Sequence, residues 1–130
     1  MSEDRHPERR YEYLGHIVEA AEKVARYTVS LDKRAFLADD KTQDAVVRNL
    51  EIVGEAARRI LEDCPGFAAQ HPEVPWQTIN AMRNRLSHGY KEVNLEIVWD
   101  TVQQSLPGLE RQLRRILAGD AGDSPASGSR

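Results

Sequence analysis

The sequence predicts an all-α protein, folded as an antiparallel up-and-down bundle of four to five helices. Three long segments place apolar residues three and four positions apart, which is the spacing of one helix face. No stretch alternates apolar and polar residues with the period that a half-buried strand requires. Six prolines and eight glycines in 130 residues are too few for a chain made mostly of turns. These observations favour helices joined by short connections.

The first two long helices are each predicted from one apolar stripe. The segment between them, SLDKRAFLADDKT, predicts a turn with a short helical piece, in which Phe36 and Leu37 anchor a loop to the core. The acidic pair Asp39–Asp40 in that segment suits a loop or a helix cap. The stripes consist of Leu14, Ile17, Ala21, Val24, Thr28 and Leu31 in the first helix, and of Val46, Leu50, Val53, Ala57 and Ile60 in the second.

The second half of the chain predicts two more helices. The segment CPGFAAQHPEVPW, punctuated by prolines, predicts an irregular connection, and the chain becomes helical from Trp76 to about Ser87. The last helix is predicted to begin after Asn94, a suitable N-cap. Pro107 has no backbone N–H and clashes with the preceding turn, so we expect a kink or break near Leu106. The last apolar stripe consists of Val98, Val102, Leu106, Leu109, Leu113 and Ile116.

The chain is predicted to be one domain followed by a tail. A chain of 130 residues is long enough for one hydrophobic core. Residues 1–118 form the predicted helical domain, and Gly119 is the predicted end of the last helix. Residues 119–130, GDAGDSPASGSR, predict a flexible C-terminal tail.

Composition and charge exclude several classes of protein. No apolar run approaches the roughly 18–20 residues of a membrane-spanning helix, and the N-terminus MSEDRHPERRYEY lacks the apolar core of a secretion signal. The single Cys64 excludes an internal disulfide framework and fits a reducing cytoplasm, where we expect the protein to reside. The net charge of −3 argues against a protein that coats nucleic acid, but it permits a site for one or two phosphates.

The second long helix predicts a homodimer. Its residues Val47, Ile52, Gly54 and Ala56 lie off the main apolar stripe. A helix that is apolar over much of its circumference has to be covered on more than one side. Because the chain offers few helices to cover it, a second copy is a sensible partner.

The stretch MRNRLSHGY, residues 82–90, departs from the pattern of a plain helical bundle. On an ideal helix at about 100° per residue, its aliphatic residues join Ile79 in one core stripe. The polar residues Arg83, Asn84, Ser87 and His88 then spread beside that stripe over an arc of about 140°. Residues 82–91 also supply a local cluster of basic side chains, which consists of Arg83, Arg85, His88 and Lys91.

These residue types suit phosphodiester chemistry. The unperturbed pKa of a histidine is about 6.5, so His88 has both protonation states available to take or give a proton at a ribose or leaving oxygen. The planar guanidinium of Arg83 matches phosphate oxygens and stabilises extra negative charge in a transition state. Asn84 can orient the imidazole or the phosphate, with Ser87 beside it as an accessory. One histidine and one arginine are sparse for an acid–base pair, and a dimer would supply two of each.

This stretch has two other interpretations. A metal site is not predicted, because no HExxH motif, no Cys/His ligand spacing and no tight acidic cluster surrounds His88. A solvated helix face with a capping histidine near its C-terminus would give the same bare pattern, since cations there complement the helix dipole.

The motif R-N-x-x-x-H-x-Y, formed by Arg83, Asn84, His88 and Tyr90, resembles the signature of HEPN-superfamily ribonucleases, and specifically of the HepT-like toxins. The resemblance covers roughly residues 11–117. It extends to the segments DAVVRNLEIVGEAARRI, VPWQTINAMRNRLSHGY and EIVWDTVQQSLPGLE, in that order.

The resemblance implies a HEPN-like antiparallel bundle that dimerises with both motifs at a shared cleft. It implies metal-independent RNA cleavage without a cofactor, with Arg83 and His88 as catalytic residues. It also implies a toxin of a type II or type VII toxin–antitoxin system, whose partner is a minimal nucleotidyltransferase antitoxin that adds AMP to Tyr90. Toxin and antitoxin would then form a hetero-oligomer.

Two questions stay open at this point. Arg48, Glu51 and Glu55 fall on one face of the second helix, where they form either an exposed ion-pair ladder or the lining of the cleft near His88. The alternative function is a non-catalytic helical module that binds a nucleotidyltransferase and is modified by it. A purely structural dimer is a third possibility, which leaves the polar stretch unexplained.

Overall fold

The computed structural model describes residues 3–88 and 93–121, without the side chains of residues 87, 88, 120 and 121. These residues contain no strand, so the predicted all-α class is confirmed. No helix among them is long and apolar enough to cross a membrane. The helices are α1 (Arg10–Thr28), α2 (Lys33–Leu37), α3 (Asp40–Asp63), α4 (Pro65–Gln70), α5 (Trp76–His88), α6 (Leu95–Asp100) and α7 (Leu106–Ala121). A 3₁₀ turn (Pro7–Arg9) precedes α1, and a π-helical segment (Thr101–Ser105) joins α6 to α7.

The first two long helices, α1 and α3, run in opposite directions. The hydroxyl of Tyr13, near the start of α1, donates a hydrogen bond of 2.6 Å to Asp63 at the end of α3. The N–H of Arg5, which precedes α1, donates to the Asp63 carbonyl at 2.7 Å. The start of α1 therefore lies against the end of α3.

The other two long helices, α5 and α7, pack against α3 and α1 respectively. The middle of α3 lies against the second half of α5, where Gly54 faces Arg83. Near the end of α1, Thr28 shares the lining of a small cavity with Val102, whereas Glu22, farther back along α1, pairs with Arg114 of α7. Thus α1 runs antiparallel to both α3 and α7, which fits the predicted up-and-down bundle.

The predicted apolar stripes form the core. Every residue of the three stripes is buried except Leu31, which is partly buried. Phe36 of α2 is fully buried and packs on Trp99 of α6, with ring centroids 5.2 Å apart. The short helix α2 therefore anchors its loop as predicted.

Both predicted N-caps form. The Asp39 carboxylate accepts a hydrogen bond of 3.0 Å from the Thr42 N–H at the start of α3. The Asn94 side chain accepts from the N–H groups of Glu96 and Ile97, at 3.0 and 3.2 Å. The starts of α3 and α6 are therefore marked in the sequence by their cap residues.

The described residues contain seven α-helices, more than the four to five that the sequence predicts. The segment PGFAAQ, predicted to be an irregular connection, is the helix α4, and the rigid φ angle of Pro65 suits its first position. The predicted kink or break near Leu106 is not a break, because the chain stays helical there. The chain instead widens into the π segment, where the Leu106 N–H donates to the Thr101 carbonyl five residues earlier, and Pro107 follows directly.

The predicted end of the last helix at Gly119 is also wrong, because α7 continues to Ala121. The first residues of the predicted tail are therefore helical, and residues 122–130 lie outside the described residues.

Much of the second apolar face of α3 is covered within the chain. Gly54 faces α5, and Ala56 is 3% exposed. Val47 and Ile52 are partly buried against the core. The homodimer stays a prediction, and this face is a weaker argument for it than the sequence suggested.

Candidate active site

Arg83 of α5 packs directly against Gly54 of α3. A Cβ atom added to Gly54 would collide with the Cβ of Arg83 and would lie 3.1 Å from both its Cα and its Cγ. Only a glycine allows the two helices to come this close. Gly54 therefore determines where the backbone of Arg83 sits.

The side chain of Arg83 is held on two sides. Its Nε lies 3.1 Å from Oε1 of Glu55, and its Nη1 donates a hydrogen bond of 2.9 Å to Oδ1 of Asn84. The arginine side chain is only 23% exposed. The guanidinium is thus fixed in orientation at the edge of the bundle and is still reachable from solvent.

Glu55 joins three arginines. Its carboxylate accepts hydrogen bonds from Nε and Nη2 of Arg58, at 3.2 and 2.7 Å, and from Nε of Arg59 at 3.1 Å. The Arg58 bonds are the main reason that the pKa of Glu55 lies below its usual value. The Arg59 bond and the charges of Arg58 and Arg83 add to this lowering, while burial opposes it. Glu55 is therefore a carboxylate at neutral pH.

The three polar residues of the second helix that were predicted to form a ladder or line a cleft make different contacts, and the cleft stays a prediction. Glu55 contacts Arg83 and belongs to the candidate site. Arg48 instead lies 3.9 Å from Glu51, at 71% exposure, and such an exposed pair contributes little to stability. Arg58 and Arg59 were missed by the sequence reasoning, although their spacing of three and four residues from Glu55 was a usable signal.

The predicted cluster of basic side chains is split by the fold. Arg85 lines a groove of about 730 Å³ between α5 and the α6–α7 helix, together with Met82 and Leu86. The described lining of this groove includes neither Arg83 nor Glu55. Arg83 and Arg85 therefore lie on different edges of α5, because residues two apart on a helix point about 160° from one another.

The histidine half of the motif is described only as backbone. His88 is the last residue of α5, in the same helix as Arg83 and Asn84. The side chains of Ser87 and His88, and the whole of Tyr90 and Lys91, lie outside the described residues. In the part of the chain that the structure describes, no group of three or more His, Cys, Asp and Glu side chains is placed to hold a metal ion.

The family model described as "Ribonuclease HepT-like" matches residues 17–116, which include all of α3 and α5. The chain belongs to the HepT-like ribonuclease family. This family lies within the HEPN superfamily, as the motif around Arg83 indicated.

Individual relatives of this HepT-like chain carry consistent names. The "Probable ribonuclease HepT" of Thermococcus cleftensis is 39% identical over 105 residues, which cover 81% of this chain and 93% of that protein. A "Putative RNase" of Methanocaldococcus jannaschii is 34% identical over 115 residues, or 88% of this chain and 93% of that protein. A "Putative RNase" of Caldanaerobacter subterraneus is 36% identical over 105 residues, or 81% of this chain and 91% of that protein. No solved structure matches the chain.

Proposed function

We propose that this HepT-like protein is an endoribonuclease that cleaves RNA with Arg83 and His88 and without a metal ion. The observation that carries the proposal is the fixed guanidinium of Arg83, held by Glu55 and Asn84 on the helix that also carries His88. Membership of the HepT-like family and the names of the relatives support a ribonuclease activity.

The proposed reaction needs only protons and charge stabilisation. An imidazole of His88 takes the proton of a ribose 2′-hydroxyl, and the 2′-oxygen attacks the adjacent phosphorus. The bond from phosphorus to the 5′-oxygen breaks, and a protonated His88 gives that oxygen its proton. Arg83 stabilises the negative charge that builds on the phosphate oxygens in the transition state. The products are a 2′,3′-cyclic phosphate and a free 5′-hydroxyl.

A homodimer is part of the proposal, because the reaction uses one base and one acid. A single chain supplies one motif histidine, whereas two copies at a shared cleft supply two. Each copy would then contribute one Arg83 guanidinium to the same cleft.

We infer a cytoplasmic location from the single buried Cys64.

The activity is tested with purified protein and total RNA in excess EDTA. The unaltered protein should cleave, and His88→Ala and Arg83→Ala should each lose at least about 100-fold in rate, as for loss of an acid–base or charge-stabilising group. Arg85→Ala is the matched control, because Arg85 faces the groove rather than Glu55. A His88→Ala or Arg83→Ala variant that cleaves at the original rate would contradict the assignment.

We also propose that the protein is the toxin of a toxin–antitoxin pair, inactivated by a nucleotidyltransferase that transfers AMP to Tyr90. The support is the motif itself, in which the tyrosine follows His88 by two residues. A phosphodiester so near the site would add negative charge and bulk where the phosphate of RNA must bind, and so would block it.

Modification of Tyr90 is tested with a Tyr90→Phe variant. It should keep its RNA cleavage and should gain no AMP when it is coexpressed with the nucleotidyltransferase, as read from the intact mass. An AMP adduct on the phenylalanine variant would place the modification elsewhere. A protein that is modified at Tyr90 but never cleaves RNA would favour the partner-binding module.

A further inference from the structure

We propose that Glu55 is the positioning residue for Arg83, and that Arg58 and Glu62 hold Glu55 in place from the same helix. This inference rests on the proposed ribonuclease function. It adds a role for a side chain that contacts neither the RNA nor the reacting atoms in the mechanism above.

A continuous line of ion pairs leads from α3 to α5. Nη1 of Arg58 lies 2.6 Å from Oε2 of Glu62, and Nη2 of Arg58 lies 2.7 Å from Oε2 of Glu55. Oε1 of Glu55 then lies 3.1 Å from Nε of Arg83. Because Glu55, Arg58 and Glu62 are three, four and seven residues apart, they share one face of α3 and support each other along it.

Glu55 is too well occupied to act as a base. Three N–H groups of Arg58 and Arg59 donate to its two oxygens, and the Arg83 ion pair is a fourth contact. An ionised carboxylate offers about four acceptor positions, so these contacts use them up. The side chain is therefore immobilised, which is what a positioning group requires.

The charge balance leaves Arg83 able to bind phosphate. Glu55 carries one negative charge and contacts three arginines, so this group of four keeps a surplus of two positive charges. Counting Glu62, which pairs with Arg58, the surplus is still one. A phosphate that approaches Arg83 thus meets net positive charge, and Glu55 orients the guanidinium without cancelling it.

The backbone contact at Gly54 restrains the same arginine independently. Gly54 fixes the position of the Arg83 Cα, and Glu55, the next residue, fixes its Nε. Two adjacent residues of α3 thus set both ends of the Arg83 side chain. A misplacement of a catalytic group by about 1 Å can lower the rate on the order of 100-fold, so these two restraints on Arg83 favour fast cleavage.

The test measures cleavage by Glu55→Gln, which keeps the size of the side chain and removes its charge. We expect kcat to fall about 10- to 100-fold while KM changes less than about 3-fold, because orientation matters most in the transition state. Glu110→Gln is the matched control, since Glu110 also pairs with an arginine, Arg114, but on α7 and away from Arg83. An unchanged kcat in Glu55→Gln, or an equal loss in Glu110→Gln, would overturn the inference.

A double-mutant cycle shows whether Glu55 acts through Arg83. In an Arg83→Ala background, Glu55→Gln should lower the cleavage rate by less than about 3-fold further, because the guanidinium that Glu55 positions is already absent. The same loss in both backgrounds would show that Glu55 acts independently of Arg83, contrary to the proposal.

A second readout does not depend on cleavage. The ¹H–¹⁵N signal of the Arg83 Nε–H is identified as the one missing from Arg83→Ala. It should be separate from the signals of mobile arginines in the unaltered protein and in Glu110→Gln, and should merge with them in Glu55→Gln. A signal that does not move in Glu55→Gln would refute the positioning role. If the unaltered protein does not cleave RNA at all, the proposed function fails, and this signal still decides whether Glu55 fixes Arg83.

Discussion

Glu55 connects the acid stability of the protein to its candidate site. Hydrogen bonds from Arg58 first, then from Arg59, hold the pKa of Glu55 below its usual value of 4.5. A carboxyl group whose folded pKa is lowered stabilises the fold fully above its unfolded pKa, and loses that contribution as the pH falls through the folded value.

The lowered pKa of Glu55 predicts how the stability of the Glu55→Gln variant depends on pH. The variant should have a lower free energy of unfolding than the unaltered protein at neutral pH, and the gap should close well below pH ~4, where Glu55 is protonated in both states. Urea unfolding at a series of pH values measures the gap. A gap that stays constant with pH, or widens in acid, would show that the Glu55 charge does not stabilise the fold.

At the scale of residues, the sequence predicted the members of the candidate site but not the contacts between them. Arg83, Asn84 and Glu55 were all named from residue type and spacing. The contact between Glu55 and Arg83 was left open, because it depends on how closely two helices distant in sequence approach one another. Arg58 was overlooked because an arginine on a polar helix face is most often solvated, although its spacing of three and four residues from Glu55 and Glu62 indicates both pairs.

At the scale of elements, the crossing of α3 and α5 depends on the absence of one side chain. Gly54 of α3 leaves no room for a Cβ beside Arg83, whereas a Cβ on Gly15 of α1 would meet no described atom within 4 Å. Both glycines lie inside long helices, so alanine would gain about 1 kcal/mol of helix propensity at either position.

The two glycines should therefore respond oppositely to alanine. Gly15→Ala should raise the free energy of unfolding by about 0.5–1 kcal/mol. Gly54→Ala should lower it by about 1–2 kcal/mol, because the cost of overpacking the crossing exceeds the gain in propensity. Urea unfolding of the two variants compares them directly. A Gly54→Ala protein that is as stable as Gly15→Ala would show that α3 and α5 do not approach so closely.

The long helices were predictable because each buries one stripe with a clear period. The short elements were not. The helix α4 is only six residues long and has too little sequence to show a period. The π segment reflects how the chain accommodates Pro107, and no spacing of apolar residues signals it.

At the scale of the whole molecule, the proposed cleavage reaction needs two copies of the chain. The order of the helices follows from the sequence, because short connections favour antiparallel neighbours. The pairing of two copies does not follow from the sequence in this way, since one chain covers Gly54 and Ala56 by itself. The homodimer thus rests on the chemistry, in which one histidine takes a proton and another gives one.

The ends of the RNA fragments show directly which mechanism cleaves the RNA. The protein is taken from the chromatographic fraction whose light-scattering mass is about twice the chain mass of 14.7 kDa, and is incubated with one defined RNA in EDTA. The account predicts fragments with 2′,3′-cyclic phosphate and 5′-hydroxyl ends, which are absent with His88→Ala and retained with Arg85→Ala. Fragments with 5′-phosphate ends, or cleavage that persists in His88→Ala, would contradict it.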